Sequence, residues 1–141
     1  MTRPTQEDGR VHGVIVGVQN EQGLWLLIRR SEKVAAPLKV CFPGGAVEPG
    51  EARDDAAVRE VREELGLSVQ LVRQIWQHEF TDRKLTLIGY LAKQISGTVT
   101  PDSHEVSEVL YLTAEEAGSH PDAMPMTDQF VKALESAVSA G

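Results

Sequence analysis

The sequence predicts an α/β fold in which helices pack on a mixed β-sheet. Three observations lead there. Apolar, β-branched runs recur at strand length, helical stretches are interspersed among them, and the two do not alternate in the βαβα rhythm of a parallel doubly wound sheet. With 141 residues, 41% hydrophobic and 25% charged, the chain suits one compact domain over residues 1–141. A domain of that size buries a core without help from disulfides or a structural metal.

The first strand is expected at residues 11–18 (VHGVIVGV), which are rich in valine and isoleucine. Residues 20–23 supply a turn, and residues 24–30 read as a second strand, antiparallel to the first. Residues 31–41 read as an irregular surface loop. The segment 42–50 (FPGGAVEPG) holds two prolines and three glycines and is expected to be turn-rich. Within it, Pro49-Gly50 suits the centre of a type II turn.

Residues 51–65 read as a helix, stopped by Gly66 in the left-handed conformation of a C-terminal cap. Two further strands are expected at 70–80 and 85–93, and a short one at 108–112. Thr113-Ala-Glu-Glu116 has the form of a capping box that opens a short helix. Residues 127–138 complete the chain as a helix with Phe130, Val131, Leu134 and Val138 on one side.

Charge narrows the functional classes. The formal net charge is −7, from 21 acidic and 14 basic residues, which disfavours nucleic-acid polymers and anionic membranes as partners. The N-terminus (MTRPTQEDGR) lacks the apolar stretch of a signal peptide, and the apolar run at 24–28 is too short to span a bilayer. Cys41 is the single cysteine, so no intrachain disulfide can form; a cytoplasmic protein is the expectation. The acidity is concentrated. Residues 48–64 carry seven acidic and three basic side chains, a net of −4 within seventeen residues.

On a helix turning about 100° per residue, Val58, Val61 and Leu65 fall within ~60° of one another, with Ala57 nearby. Glu60, Glu63 and Glu64 project from another face, at i, i+3 and i+4. Like charges at that spacing, close to the negative end of the helix dipole, weaken an isolated helix by a few tenths of a kcal/mol per pair. A divalent cation would remove both penalties and draw in phosphate. The bland reading is a solvated face with Arg59 and Arg62 as partners, which is what most charged helix faces are.

The surrounding residues outweigh that reading. The stretch 45–67 (GAVEPGEARDDAAVREVREELGL) resembles the box that defines the Nudix hydrolase family, of which MutT-like proteins are members. Gly45, Glu51, Arg59, Glu60, Val61, Glu63, Glu64, Gly66 and Leu67 fill all nine specified places over 23 residues, and Phe42-Pro43-Gly44 resembles the family's lead-in. The resemblance implies an α/β/α sandwich around a mixed sheet, with the box as a loop–helix–loop. It implies a pyrophosphohydrolase using Mg²⁺ or Mn²⁺, in which water attacks phosphorus of a nucleoside triphosphate or another nucleoside diphosphate derivative. Its metal ligands would be Glu60, Glu63, Glu64 and the carbonyl of Gly44. Arg59 would orient the glutamates, Glu51 would brace the loop, and Gly45 and Gly66 would serve backbone geometry.

The family's general base is a box glutamate or an acid from a loop near the end of the sheet. Glu105, beside His104, is the candidate taken here, with Glu108 as the other loop acid. Cys41 reads as a packing residue, the four histidines lack zinc spacing, and Trp25 and Trp76 read as core. Residues that mark particular substrate subgroups are missing, so the sequence leaves the substrate open. The expected partner is a small phosphorylated, nucleotide-like molecule, bound by a monomer or homodimer. Two rivals share the scaffold: a non-catalytic nucleotide-sensing module, and a prenyl diphosphate isomerase, disfavoured by the short chain and single cysteine.

Overall fold

A computed structural model describes residues 4–140; the first three residues of the polar N-terminal stretch lie outside the described residues. In chain order the elements are β1 (Val11–Val18), β2 (Trp25–Arg30), β3 (Val40–Cys41), β4 (Gly44–Ala46), α1 (Arg53–Leu65), β5 (Ser68–Glu79), β6 (Leu85–Ser96), β7 (Val106–Leu112), α2 (Ala114–Gly118) and α3 (Thr127–Ala140). The fold is mixed α/β, as expected, with helices on both faces of a mixed four-stranded sheet ordered β4-β1-β6-β5. A second sheet, ordered β3-β2-β7, is antiparallel throughout.

The antiparallel pairing expected between the first two strands does not form. The turn is present, with Asn20 Oδ1 accepting from Leu24 N at 2.9 Å, yet β-pairing there is limited to the isolated bridge Gln19–Trp25. β1 already has both edges occupied, by β4 antiparallel and β6 parallel. β2 is buried along Trp25, Leu26, Leu27 and Ile28, a central-strand signature, and it sits between β3 and β7.

Two strands stand where only loop and turns were expected. β3 closes the 31–41 loop, and β4 is Gly-Gly-Ala, a stretch with no strand propensity that becomes one by pairing with β1. The type II turn forms as expected: Gly50 has φ +80° and Glu51 N donates to Glu48 O at 3.0 Å. α1 begins at Arg53 rather than at 51, because Glu51 is held in the turn by Arg59. Gly66 ends it at φ +69°, its N–H donating to Arg62 O. The capping box of α2 is complete, with Thr113 and Glu116 exchanging side-chain-to-backbone bonds at 2.9 and 3.1 Å.

Alternation along β1 assigns each face a helix. Val14, Val16 and Val18 join Ala57, Val61 and Leu65 of α1 in one core cluster. On the other face, Gly17 and Gly89 leave room for Leu134 and Phe130 of α3. Phe130, Val131 and Leu134 are buried as expected, whereas Val138 is 44% exposed, burial in that last turn passing to Ala137. Trp25 is core, while Trp76 is only partly buried and packs against Phe130 at 5.7 Å. Among the described residues no helix is long and apolar enough to cross a membrane.

Candidate active site

The expected site residues meet where the edge strand β4 runs past α1. Because β4 is Gly-Gly-Ala, it presents almost no side chain to the helix, and the glutamates of α1 lie directly against its backbone. Glu64 Oε1 accepts a hydrogen bond from Gly44 N at 2.8 Å. Glu60 lies over Gly45, where an added Cβ would stand 2.4 Å from its carboxyl carbon. Gly45 therefore serves side-chain room, not a special backbone angle. Only Gly66 has the conformational role expected of both.

Glu60 and Glu64 line a cavity of about 390 Å³, together with Gly44, Gly45, Arg30 and Glu105. Burial pushes the Glu64 carboxyl up to about 8, the Gly44 N–H partly opposing it and the charges of Glu60 and Glu105 adding to it. Burial likewise pushes Glu60 up to about 7, against the ion pair with Arg59 and with the help of Glu63 and Glu105. Arg59 offsets only part of that crowding of carboxylates, and a hard cation would supply more counter-charge. Among the described residues, no three histidine, cysteine, aspartate or glutamate side chains already form a ready-made ligand cluster.

Arg59 is the hub of the box. Its Nε and Nη2 grip the two oxygens of Glu51 at 2.8 and 3.0 Å, and Nη2 also donates to Ala46 O at 3.1 Å. Its Nη1 donates to Glu60 at 3.0 Å and to Glu63 at 3.1 Å. The pairing holds Glu51 below the usual carboxylate range, Arg59 being the first cause. Glu63 is not brought into the cavity: its side chain is 56% exposed and reaches the site only through Arg59. It is the one box glutamate for which the solvated reading largely holds.

Lysine could not bind both oxygens of Glu51 while also holding Glu60. Arg59→Lys is therefore expected to lower kcat/KM at least about tenfold, chiefly through kcat, with a Tm only a few degrees lower. Steady-state kinetics beside a melting curve would test this; unchanged kcat would remove Arg59 as a positioning residue.

Glu105 sits in the turn before β7, with its N bonded to Asp102 O and its own O accepting from Ser31 N. It is half-buried in the cavity wall, close enough to raise both glutamates. Glu108 is on β7, paired with Arg29 at 3.0 Å and outside the cavity. Cys41 lines the cavity, but burial pushes its thiol up to about 11, so it stays protonated and inert. His12 bonds Asp8 and Arg53, and His120 accepts from Asp122 N, leaving neither in the site.

Reading by segment missed the rest of the wall: Arg30 from β2, Phe80 and Arg83 from the turn joining β5 and β6, and Met124 and Met126 before α3. No local spacing links those positions; only the tertiary fold assembles them.

Comparison with known proteins shows which family the chain belongs to. A family model described as NUDIX domain matches residues 9–134. The chain is 32% identical over 114 residues to an 8-oxo-dGTP diphosphatase of Escherichia coli K12, covering 78% of this chain and 88% of that one. It is 30% identical over 123 residues to a CTP pyrophosphohydrolase of the same organism, covering 84% and 90%. In structure it resembles a MutT protein from Methanosarcina mazei Go1, with TM-score 0.75 over 98% of this chain and 99% of that one, at 23% identity.

Proposed function

The chain belongs to the Nudix family, and from that premise we propose a divalent-metal-dependent pyrophosphohydrolase acting on a nucleoside triphosphate or another nucleoside diphosphate derivative. One observation carries the reading: the carboxyls of buried Glu64 and partly buried Glu60 meet the Gly44-Gly45 edge of one cavity, and burial raises both. A divalent cation would offset the cost of bringing those carboxylates together.

The residues present fit Mg²⁺ or Mn²⁺ by donor chemistry, being carboxylate and carbonyl oxygens beside a cavity able to admit phosphate. Glu60, Glu64 and the Gly44 carbonyl would hold the ion, with Glu63 adjoining through Arg59. Bound there, the ion would neutralise phosphate charge and make nearby water more acidic.

The chain's own groups do the remaining work. Arg59 holds Glu60 in place from one side, while the Gly44 N–H holds Glu64 from the other. Arg30, half-buried in the wall, donates through Nε to Ala35 O at 2.6 Å and has further N–H groups for a phosphate oxygen. Glu105 accepts a proton as a water oxygen bonds to phosphorus. The bond from that phosphorus to the bridging oxygen breaks, and its electron pair leaves with the departing phosphate. Two phosphorylated fragments result.

The test is a panel of nucleoside triphosphates, nucleotide sugars and dinucleotides, assayed by phosphorus NMR with added Mg²⁺ or Mn²⁺ and then with EDTA. Turnover of at least one member is expected, abolished by chelation and restored by excess metal. Turnover indifferent to EDTA, or none across the panel, would count against the reading; binding without turnover would favour the sensing module.

A further inference from the structure

Among the described residues, the buried polar or charged side chains are Ser31, Glu64, Thr86 and Thr127. Glu64 belongs to the site, Thr86 accepts from Arg10 at 2.8 Å, and Thr127 donates to Met124 O at 2.6 Å at the start of α3. Ser31 caps no helix. It follows Arg30 directly and is bonded to the turn that carries Glu105.

Both donors of Ser31 go to that turn. Its N–H donates to Glu105 O at 2.9 Å and its hydroxyl donates to His104 O, while Oγ also accepts from Lys33 N at 3.2 Å. The first bond carries the β2–β7 ladder one rung past Arg30–Val106. The second is no ladder bond and exists only because a hydroxyl stands there. Between Arg29–Glu108 and Arg30–Val106 the ladder skips Ser107. A bulge of this kind disrupts the pairing locally and re-aims side chains, so the next fixed point decides where the strand's start lies.

Other bonds tie the same turn to α1. Thr100 N donates to Leu65 O at 2.8 Å and Asp102 N to Glu64 O at 2.9 Å, satisfying carbonyls that a helix end leaves unpaired. The chain lies tight on the helix cap there, since a Cβ at Gly97 would stand 2.8 Å from Gly66 O. Asp102 O in turn accepts from Glu105 N at 3.1 Å and from Val106 N at 2.8 Å. The turn is thus held to α1 through Asp102 and to β2 through Ser31. Arg30, Glu64 and Glu105, which all line the cavity, lie at or next to the residues that these bonds join.

Resting on the reading of Glu105 as proton acceptor, we propose that Ser31 is a positioning residue for the hydrolysis, its hydroxyl fixing the His104–Glu105 segment against β2 and so placing the Glu105 carboxylate in the cavity wall. Two bonds to adjacent carbonyls set direction as well as distance; the backbone bond alone leaves the segment free to rotate about it. The fold survives loss of the hydroxyl, because His104 and Lys33 are exposed and water can take over their bonds.

The test is a double-mutant cycle of Ser31→Ala and Glu105→Gln, on whichever nucleotide is turned over fastest with Mg²⁺, beside amide hydrogen exchange followed by NMR. Ser31→Ala is expected to lower kcat about tenfold, with KM within about twofold of wild type. In the Glu105→Gln background, itself slower by about 100-fold, the same change should cost less than about twofold. The amides of Glu105 and Val106 should exchange several-fold faster in Ser31→Ala, whereas that of Val61, buried in α1, should not.

An unchanged kcat in Ser31→Ala, an equal loss in both backgrounds, or exchange at Glu105 and Val106 as in wild type overturns the positioning role. Glu105→Gln as fast as wild type overturns it as well, while EDTA-sensitive turnover leaves the hydrolase reading in place. No turnover of any nucleotide overturns the hydrolase reading instead, and faster exchange at Glu105 then upholds Ser31 as its tether.

Discussion

Glu64→Gln is expected to cut turnover at least about 100-fold and, at the same time, to make the metal-free protein more stable at neutral pH. Both effects have one cause. Glu64 is 4% exposed, and burial pushes its carboxyl up to about 8 from an ordinary 4.5. Glutamine keeps the bond from Gly44 N, which is 2.8 Å long in the native side chain, but it carries no charge to bury.

Below pH 4.5 the native carboxyl is protonated in both the folded and the unfolded chain and contributes nothing pH-dependent. Between there and about 8 the unfolded chain releases a proton that the folded chain retains, so stability falls as pH rises. Above that value the loss is complete, about 5 kcal/mol.

In EDTA, then, wild-type Tm should decline from pH 5 to pH 8. The variant should decline less, keeping only the part due to Glu60, whose carboxyl sits at about 7. Excess Mg²⁺ should raise Tm in the wild type far more than in the variant. Melting curves across pH and steady-state assays decide it. A variant less stable than wild type at pH 8 in EDTA, or one as fast with Mg²⁺, would falsify the account of Glu64.

Gly45→Ala is expected to lower kcat/KM by about 100-fold while the fold survives. The added methyl would stand 2.4 Å from the Glu60 carboxyl carbon and 2.5 Å from both of its oxygens, so the carboxylate must swing away. A side chain can yield at small cost, and β4 keeps its pairing of Gly45 with Val14. Misplacement by about 1 Å suffices for an effect of that size.

Gly44→Ala is the contrasting case. Its methyl would lie 1.9 Å from the backbone oxygen of Val14, which cannot move without breaking the ladder. The loss there should appear as a Tm drop. Full activity in Gly45→Ala, or equal destabilisation by both changes, would show that the glycines do not divide the work in this way.

The parts of the molecule legible beforehand were those whose signal is local. α1, its glycine cap, the type II turn and the capping box of α2 each depend on residues within a few positions of one another, and each formed as expected to within two residues. The same locality set Arg59, Glu60 and Glu64 side by side along α1, since spacing along a helix is itself geometry. It did not foresee that Glu63, on their face of α1, stands 56% exposed outside the cavity. Helical phase alone does not say how far a sheet edge extends.

By itself, the sequence determined the class of the fold, the helix that carries the carboxylates, and through the box its family. Tertiary structure alone decided that β1 and β2 separate into different sheets, and that a Gly-Gly-Ala stretch without strand propensity becomes the edge against which Glu60 and Glu64 pack. It alone brought Arg30, Phe80, Arg83 and Met124 to one cavity. The reason is physical: pairing partners and cavity walls are chosen by competition among distant segments for the same surface. Propensity, which acts over a few residues, carries no record of which segment wins.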